Sequence, residues 1–120
     1  MKKKILVVED DKDMQKIYAD VIKNGFDVTI VGDTTKAQKE LDNHKYDLMV
    51  LDIILPKEPG DTFFVKLKQN PKYKNLKVIV VTVLGDIVDK LKMIDSNVEC
   101  LPKPFDKKEL LELINKKLAE

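Results

Sequence analysis

Tyr46–Asp47–Leu48–Met49–Val50–Leu51–Asp52–Ile53–Ile54–Leu55–Pro56 is an almost unbroken apolar run that carries a carboxylate where it should surface. A run without polar alternation fits a strand buried on both faces, the position offered by a parallel sheet covered with helices. Asp52 then sits at the carboxyl end of a central strand, where open α/β sheets place their ligands. Pro56 and Gly60 punctuate the loop that follows. An acid here also has an ordinary explanation, since a strand must surface and turn somewhere. The remainder of the chain separates the two.

Strand and helix patterns alternate five times around this stretch. Lys3 to Val8, Asp27 to Val31, Val78 to Thr82 and Val98 to Leu101 read as the other strands. Met14, Ile17, Tyr18, Val21 and Ile22 recur at helical spacing, with Asp11 or Asp13 at the start and Asn24–Gly25 at the end. A second helix is expected from about Thr34 to Asn43, marked inside only by Ala37 and Leu41. Phe63, Phe64 and Leu67 stripe a third, with Asp61 or Thr62 as its cap, and Asn70–Pro71 breaks it. Ile87, Val88, Leu91 and Ile94 give a short fourth after Gly85–Asp86. Asp106 caps a last helix whose inner face is Leu110, Leu111, Ile114 and Leu118. Five such pairs with short connections predict one α/β domain over residues 1–120, a doubly wound parallel sheet with helices on both faces.

The 120 residues are 43% hydrophobic and 36% charged, the composition of a soluble domain with one core. No apolar run approaches the roughly 20 residues that span a bilayer. The start, Met1 to Val8, places lysines before apolar residues, but the apolar part is short and runs into acids, so no signal peptide is expected. A lone cysteine excludes an internal disulfide and fits a reducing, cytoplasmic setting. All 22 basic residues are lysine. Without arginine there is no bidentate fork for phosphate or guanine, and with lysines spread along the chain no nucleic-acid binding is expected.

In a parallel sheet every strand ends at one edge. Glu9 and Asp10 end the first strand, Asp52 the third and Thr82 the fourth, while Lys103 follows the fifth. Clustered carboxylates repel unless a cation neutralises them, and a hard divalent ion such as magnesium takes a few carboxylates while keeping several waters. Magnesium beside a single lysine is also what phosphoryl transfer to a carboxylate requires. Asp52 is the expected nucleophile, with Thr82 and Lys103 on phosphoryl oxygens and Glu9 and Asp10 on the metal. Singly, each residue has a plain structural reading: a solvated helix start, a β-branched strand residue, one surface lysine among many. Four strand ends delivering complementary groups to one edge is the stronger observation.

Ile5–Leu6–Val7–Val8–Glu9–Asp10–Asp11, Leu51–Asp52 with Pro56 and Gly60, Val80–Val81–Thr82 and Lys103–Pro104–Phe105 form an ordered set. With it the chain resembles, over essentially its whole length, a response-regulator receiver domain of the two-component signalling family. The resemblance implies a flavodoxin-like (βα)5 fold with strand order 2-1-3-4-5. It implies phosphorylation of Asp52 by a histidine kinase or phosphotransfer protein, the chain itself catalysing the transfer and a slow loss rather than acting as a conventional enzyme. Magnesium would be held by Glu9, Asp10, Asp52 and the backbone carbonyl of Ile54, and the Lys103–Pro104 peptide would be cis. The output surface would lie around Lys90, Lys92, Glu99 and Lys107, toward a target or output domain outside this chain, with the chain a monomer or weak dimer.

Some positions depart from the family. Glu9 stands where the family usually has aspartate, which predicts altered metal affinity. Cys100 replaces the usual aromatic of the fifth strand and is expected to be a small buried core residue. Val83 replaces a small residue and is expected to narrow access to Asp52. Ile54 and Leu84, two residues beyond Asp52 and Thr82, cannot orient an attacking water, so a long-lived phosphorylated form is expected.

Other classes fit less well. A haloacid-dehalogenase-type phosphatase needs an acid two residues after its nucleophile, and Ile54 stands there. A flavodoxin-like flavin binder needs a phosphate loop after the first strand, and Glu9–Asp10–Asp11–Lys12 would repel a phosphate. A receiver-like interaction module that is never phosphorylated is the main alternative.

Overall fold

The computed structural model describes residues 2–120. Its strands are β1 (Lys4–Val8), β2 (Asp27–Val31), β3 (Leu48–Asp52), β4 (Val78–Thr82) and β5 (Glu99–Pro102). Its helices are α1 (Lys12–Ile22), α2 (Thr34–Asn43), α3 (Gly60–Gln69), α4 (Val88–Ile94) and α5 (Lys107–Ala119). All strand pairs are parallel, in the order β2-β1-β3-β4-β5, so the sheet is the expected 2-1-3-4-5 arrangement.

Every residue of β3 and β4 is buried, as continuous apolar runs in a two-sided sheet must be. Period-2 alternation of their side chains builds two cores. Leu6, Met49, Leu51 and Val80 face one layer with Phe63, Phe64 and Leu91. Ile5, Val7, Val50 and Val81 face the other with Tyr18, Ile22, Leu110 and Ile114. Registers Val8↔Leu51 and Asp52↔Val81 bring the ends of β1, β3 and β4 level, which places their following residues side by side.

Three helix details differ from the sequence reading. Neither Asp61 nor Thr62 caps α3: the helix starts at Gly60 behind Pro59, with no side-chain cap. A Cβ on Gly60 would lie 2.0 Å from the Asp52 carbonyl oxygen, so only glycine admits this approach, and the Gly60 N–H donates to the Ile53 carbonyl at 2.8 Å. The fourth helix begins with a single 3-10 turn over Gly85–Ile87, and Ile94, expected inside, is 42% exposed at its end. Lys117 is buried on α5, while Leu111 and Leu118, expected on its inner face, are only half-buried. The long Lys117 stem fills the layer and its ammonium escapes to the Asn97 carbonyl and Glu120. Elsewhere Asp11, Asp33 and Asp106 cap their helices, the last with a full capping box closed by Glu109.

Candidate functional site

Glu9, Asp10, Asp52, Thr82 and Lys103 come together at the carboxyl edge of the sheet. Hydrophobic flanks bury β1 and β3 to their last residues, which draws Glu9 and Asp52 below the surface while Asp10 remains exposed. One carboxylate oxygen from each of Glu9, Asp10 and Asp52 lies within 4.8 Å of the others. Lys103 reaches across from the loop after β5, Nζ donating to Glu9 Oε1 at 2.8 Å and to Asp52 Oδ2 at 3.0 Å. The Lys103 backbone N–H donates to the Thr82 carbonyl at 3.0 Å, and the Lys103–Pro104 peptide is cis.

The electrostatics follow from burial and count. Three carboxylates face one ammonium, leaving an excess of two negative charges. Burial pushes the Glu9 carboxyl above its ordinary range; hydrogen bonds from Lys103 and the Asp11 N–H oppose this, and the Asp52 charge adds to it. Burial pulls the Lys103 ammonium down, but its bonds to Glu9 and Asp52 outweigh that and leave its pKa raised. Burial, with the charges of Glu9 and Asp52, drives the Tyr18 phenol far above its normal pKa. An excess of two negative charges on hard oxygens suits a divalent cation with oxygen preference, so the donor set fits magnesium.

Second contacts hold the group in place. Asp52 Oδ1 accepts from the Ile54 N–H at 3.3 Å, and Thr82 Oγ1 accepts from the Leu84 N–H at 3.0 Å. Gln15 Nε2 donates to the Glu9 carbonyl at 2.7 Å, tying the first turn of α1 to the strand end. Gln15 and the Tyr18–Phe105 ring pair, with centroids 5.7 Å apart, were not read from sequence as part of the site, and Gly60 was read there only as a loop residue and a member of the family pattern.

The expectations for the surrounding positions divide. Ile54, Val83 and Leu84 are 55%, 59% and 39% exposed, an apolar rim that points outward. Cys100 is half-buried, not a closed core residue. It lines a cavity of about 280 Å³ with Thr82, Val88 and Lys92, because a thiol is too small to fill the space between β5 and α4. Burial raises its pKa, so the thiol stays protonated.

A family profile described as "Response regulator receiver domain" matches residues 5–115. The Transcriptional regulatory protein CpxR homolog of Haemophilus influenzae is 32% identical over 113 residues, covering 92% of this chain and 48% of that protein. The DNA-binding dual master transcriptional regulator RpaA of Synechocystis is 33% identical, covering 90% of this chain and 46% of its own length. The chain thus spans about half the length of these relatives. Among solved structures, the receiver domain of Francisella response regulator 1452 superposes with a TM-score of 0.83 at 28% identity, covering 98% of this chain and 97% of that one. The receiver domain of sensor histidine kinase PA1611 from Pseudomonas aeruginosa, determined with magnesium in its active site cleft, gives 0.87 at 23% identity with both chains fully covered, a likeness of fold. No helix among the described residues is long and apolar enough to cross a membrane.

Proposed function

Because this chain belongs to the response-regulator receiver domain family of two-component systems, we propose that Asp52 accepts a phosphoryl group from a phosphohistidine donor. The observation that carries this is the pair of 2.8 and 3.0 Å contacts by which one ammonium joins Glu9 and Asp52 at the bottom of a three-carboxylate site. An Asp52 carboxylate oxygen attacks phosphorus, the P–N bond breaks, and the leaving imidazole keeps the bonding electrons and takes up a proton. The product is an acyl phosphate. Lys103 and the Thr82 hydroxyl receive the charge carried by the phosphoryl oxygens, and the Ile54 N–H holds the other Asp52 oxygen. Magnesium, held by Glu9, Asp10, Asp52 and the Ile54 carbonyl, would neutralise carboxylate and phosphoryl oxygens together.

In this reading residues 1–120 act as one domain in the cytoplasm, charged by a histidine kinase or phosphotransfer protein and read by a target or output domain. Incubation with magnesium and acetyl phosphate tests the chemistry. A phosphoryl mass gain that disappears in Asp52→Ala supports it, and no gain from acetyl phosphate or a kinase supports the unphosphorylated interaction module instead. The apolar side chains of Ile54 and Leu84 offer no group to orient water on the acyl phosphate. The modified form should therefore persist, and Ile54→Asn should shorten its life. A half-life of seconds in the unaltered chain would remove this part of the reading.

A further inference from the structure

The open sheet leaves β2 and β5 with a neighbour on one side only. The Asp27 N–H donates to the Lys3 carbonyl and the Val31 carbonyl accepts from the Glu9 N–H, both at 2.9 Å. The main chain of both residues therefore points at β1. Alternation along the strand turns Thr29 inward with them and leaves the N–H and carbonyl groups of Val28 and Ile30 facing outward. No loop main chain among the described residues bonds to those outward groups. At the other edge the Lys103 N–H donates to the Thr82 carbonyl at 3.0 Å, so Cys100 and Pro102 carry the outward positions of β5.

The two edges are not equally protected. Proteins blunt a free strand with charge, proline or a bulge, because its unpaired groups invite another chain. β5 carries Glu99 and ends on Pro102, which has no N–H to offer. Beyond Asp27, β2 reads Val28–Thr29–Ile30–Val31, β-branched throughout and free of charge and proline. Its register with β1 runs one to one from Asp27 to Val31, so no bulge twists it away. Phe26, Val28 and Ile30 pack only partly into one core layer, as Val31 does into the other, and each keeps some exposed apolar surface.

We infer that β2 pairs antiparallel with β2 of a second copy, across a two-fold axis at Thr29. The strand is its own complement in that register. Val28 of each copy faces Ile30 of the other, and each such pair exchanges both N–H···O=C bonds. The neighbouring registers, centred on Val28 or on Ile30, leave a single exchange within the strand. No like charges meet, since Asp27 comes opposite Val31 and Gly25 opposite Asp33. The missing donor of Pro102 works against head-to-tail pairing of β2 with β5, so the assembly closes at two chains and does not grow into a fibre. A strand edge is a small interface, and the dimer is accordingly weak. Antiparallel pairing points the carboxyl edges of the two copies in opposite directions and leaves Asp52 open. The inference therefore stands or falls separately from phosphorylation.

Hydrogen exchange of the isotope-labelled chain, followed residue by residue at micromolar and at millimolar concentration, tests the register. Val28 and Ile30 amides should exchange freely when dilute and gain at least tenfold protection when concentrated. The Thr29 amide, already turned toward β1, should change little. Sedimentation equilibrium should show dimer and no larger species. Ile30→Pro removes an outward donor that the single chain does not use, and Thr29→Lys sets two ammonium groups opposite each other at the axis. Each should weaken the dimer at least tenfold, with the remaining amide shifts preserved to show that the variant is folded. The inference is overturned by a chain that stays monomeric at millimolar concentration, by Val28 and Ile30 protection that does not depend on concentration, by an undiminished dimer in both folded variants, or by open-ended assembly.

Discussion

Lys103 and Lys68 are both ammonium groups sunk into the protein, one at each end of the sheet, and their surroundings move them in opposite directions. Lys68 sits with a side chain 4% exposed among two carbonyls and one carboxylate. Burial lowers its pKa, and Asp95 recovers only part of the loss. Lys103 meets two buried carboxylates instead, and they more than reverse the cost of burial. Around Lys68 one cation meets one carboxylate and two carbonyls, which ties the α3–β4 loop and Asp95 at the end of α4 to α3. At the Lys103 end one cation faces three carboxylates, and that imbalance leaves room for a metal and a phosphoryl group. A satisfied cluster holds the structure together; an unsatisfied one is available for chemistry.

The largest effect expected from this contrast is on Lys103→Met. Removing the cation that contacts Asp52 should slow its acetyl phosphate labelling about 100-fold or more, the usual cost of losing one charge-stabilising donor. Labelling rates by intact mass at saturating magnesium measure it, and a change of only a few-fold would remove Lys103 from the reacting group. Lys68→Met, at the other end, should leave the labelling rate unchanged below its melting temperature.

Backbone closeness differs between the ends as well. Gly60→Ala places a methyl 2.0 Å from the Asp52 carbonyl and 2.9 Å from Ile53 Cα, both main-chain atoms of the strand end. Something in the backbone must shift, at a cost of about 3 kcal/mol. Gly25, in the α1–β2 connection at the amino edge, has nothing within 4 Å of a built Cβ. Gly25→Ala should stay within about 0.5 kcal/mol of the parent. Urea denaturation of the two variants decides this, and equal midpoints would mean that the Gly60 contact is not tight.

Much of this arrangement was legible in the residues. β3 and β4 announced themselves as continuous apolar runs, and α2 fell at Thr34–Asn43 from the weak pattern of Ala37 and Leu41 alone. The strand-end rule then collected Glu9, Asp10, Asp52, Thr82 and Lys103 without coordinates. What escaped notice depended on distance across the fold. At the start of α3 the chain passes so close to the Asp52 carbonyl that only glycine fits at position 60, a contact that no local propensity encodes. Nothing in the pattern marks Lys68 or Lys117 as buried, and only the packed layer shows where their stems run.

Lys68→Met should cost about 2 kcal/mol at neutral pH, because the Lys74 and Leu76 carbonyls and Asp95 lose their shared donor. The parent-minus-variant difference carries a smaller signal of its own in pH. Folded Lys68 titrates below the 10.5 of an ordinary lysine. Between those two values the unfolded chain binds more protons than the folded one, so the Lys68 contribution rises with pH and levels off above 10.5. Physically, losing the proton removes the cost of holding a charge in the layer. Urea midpoints of both proteins, collected from pH 8 to pH 10.5, isolate this slope because tyrosines and other lysines cancel. A difference that falls with pH would mean that Asp95 outweighs burial at this end as the carboxylates do around Lys103, and the contrast between the two ends would collapse into one of degree.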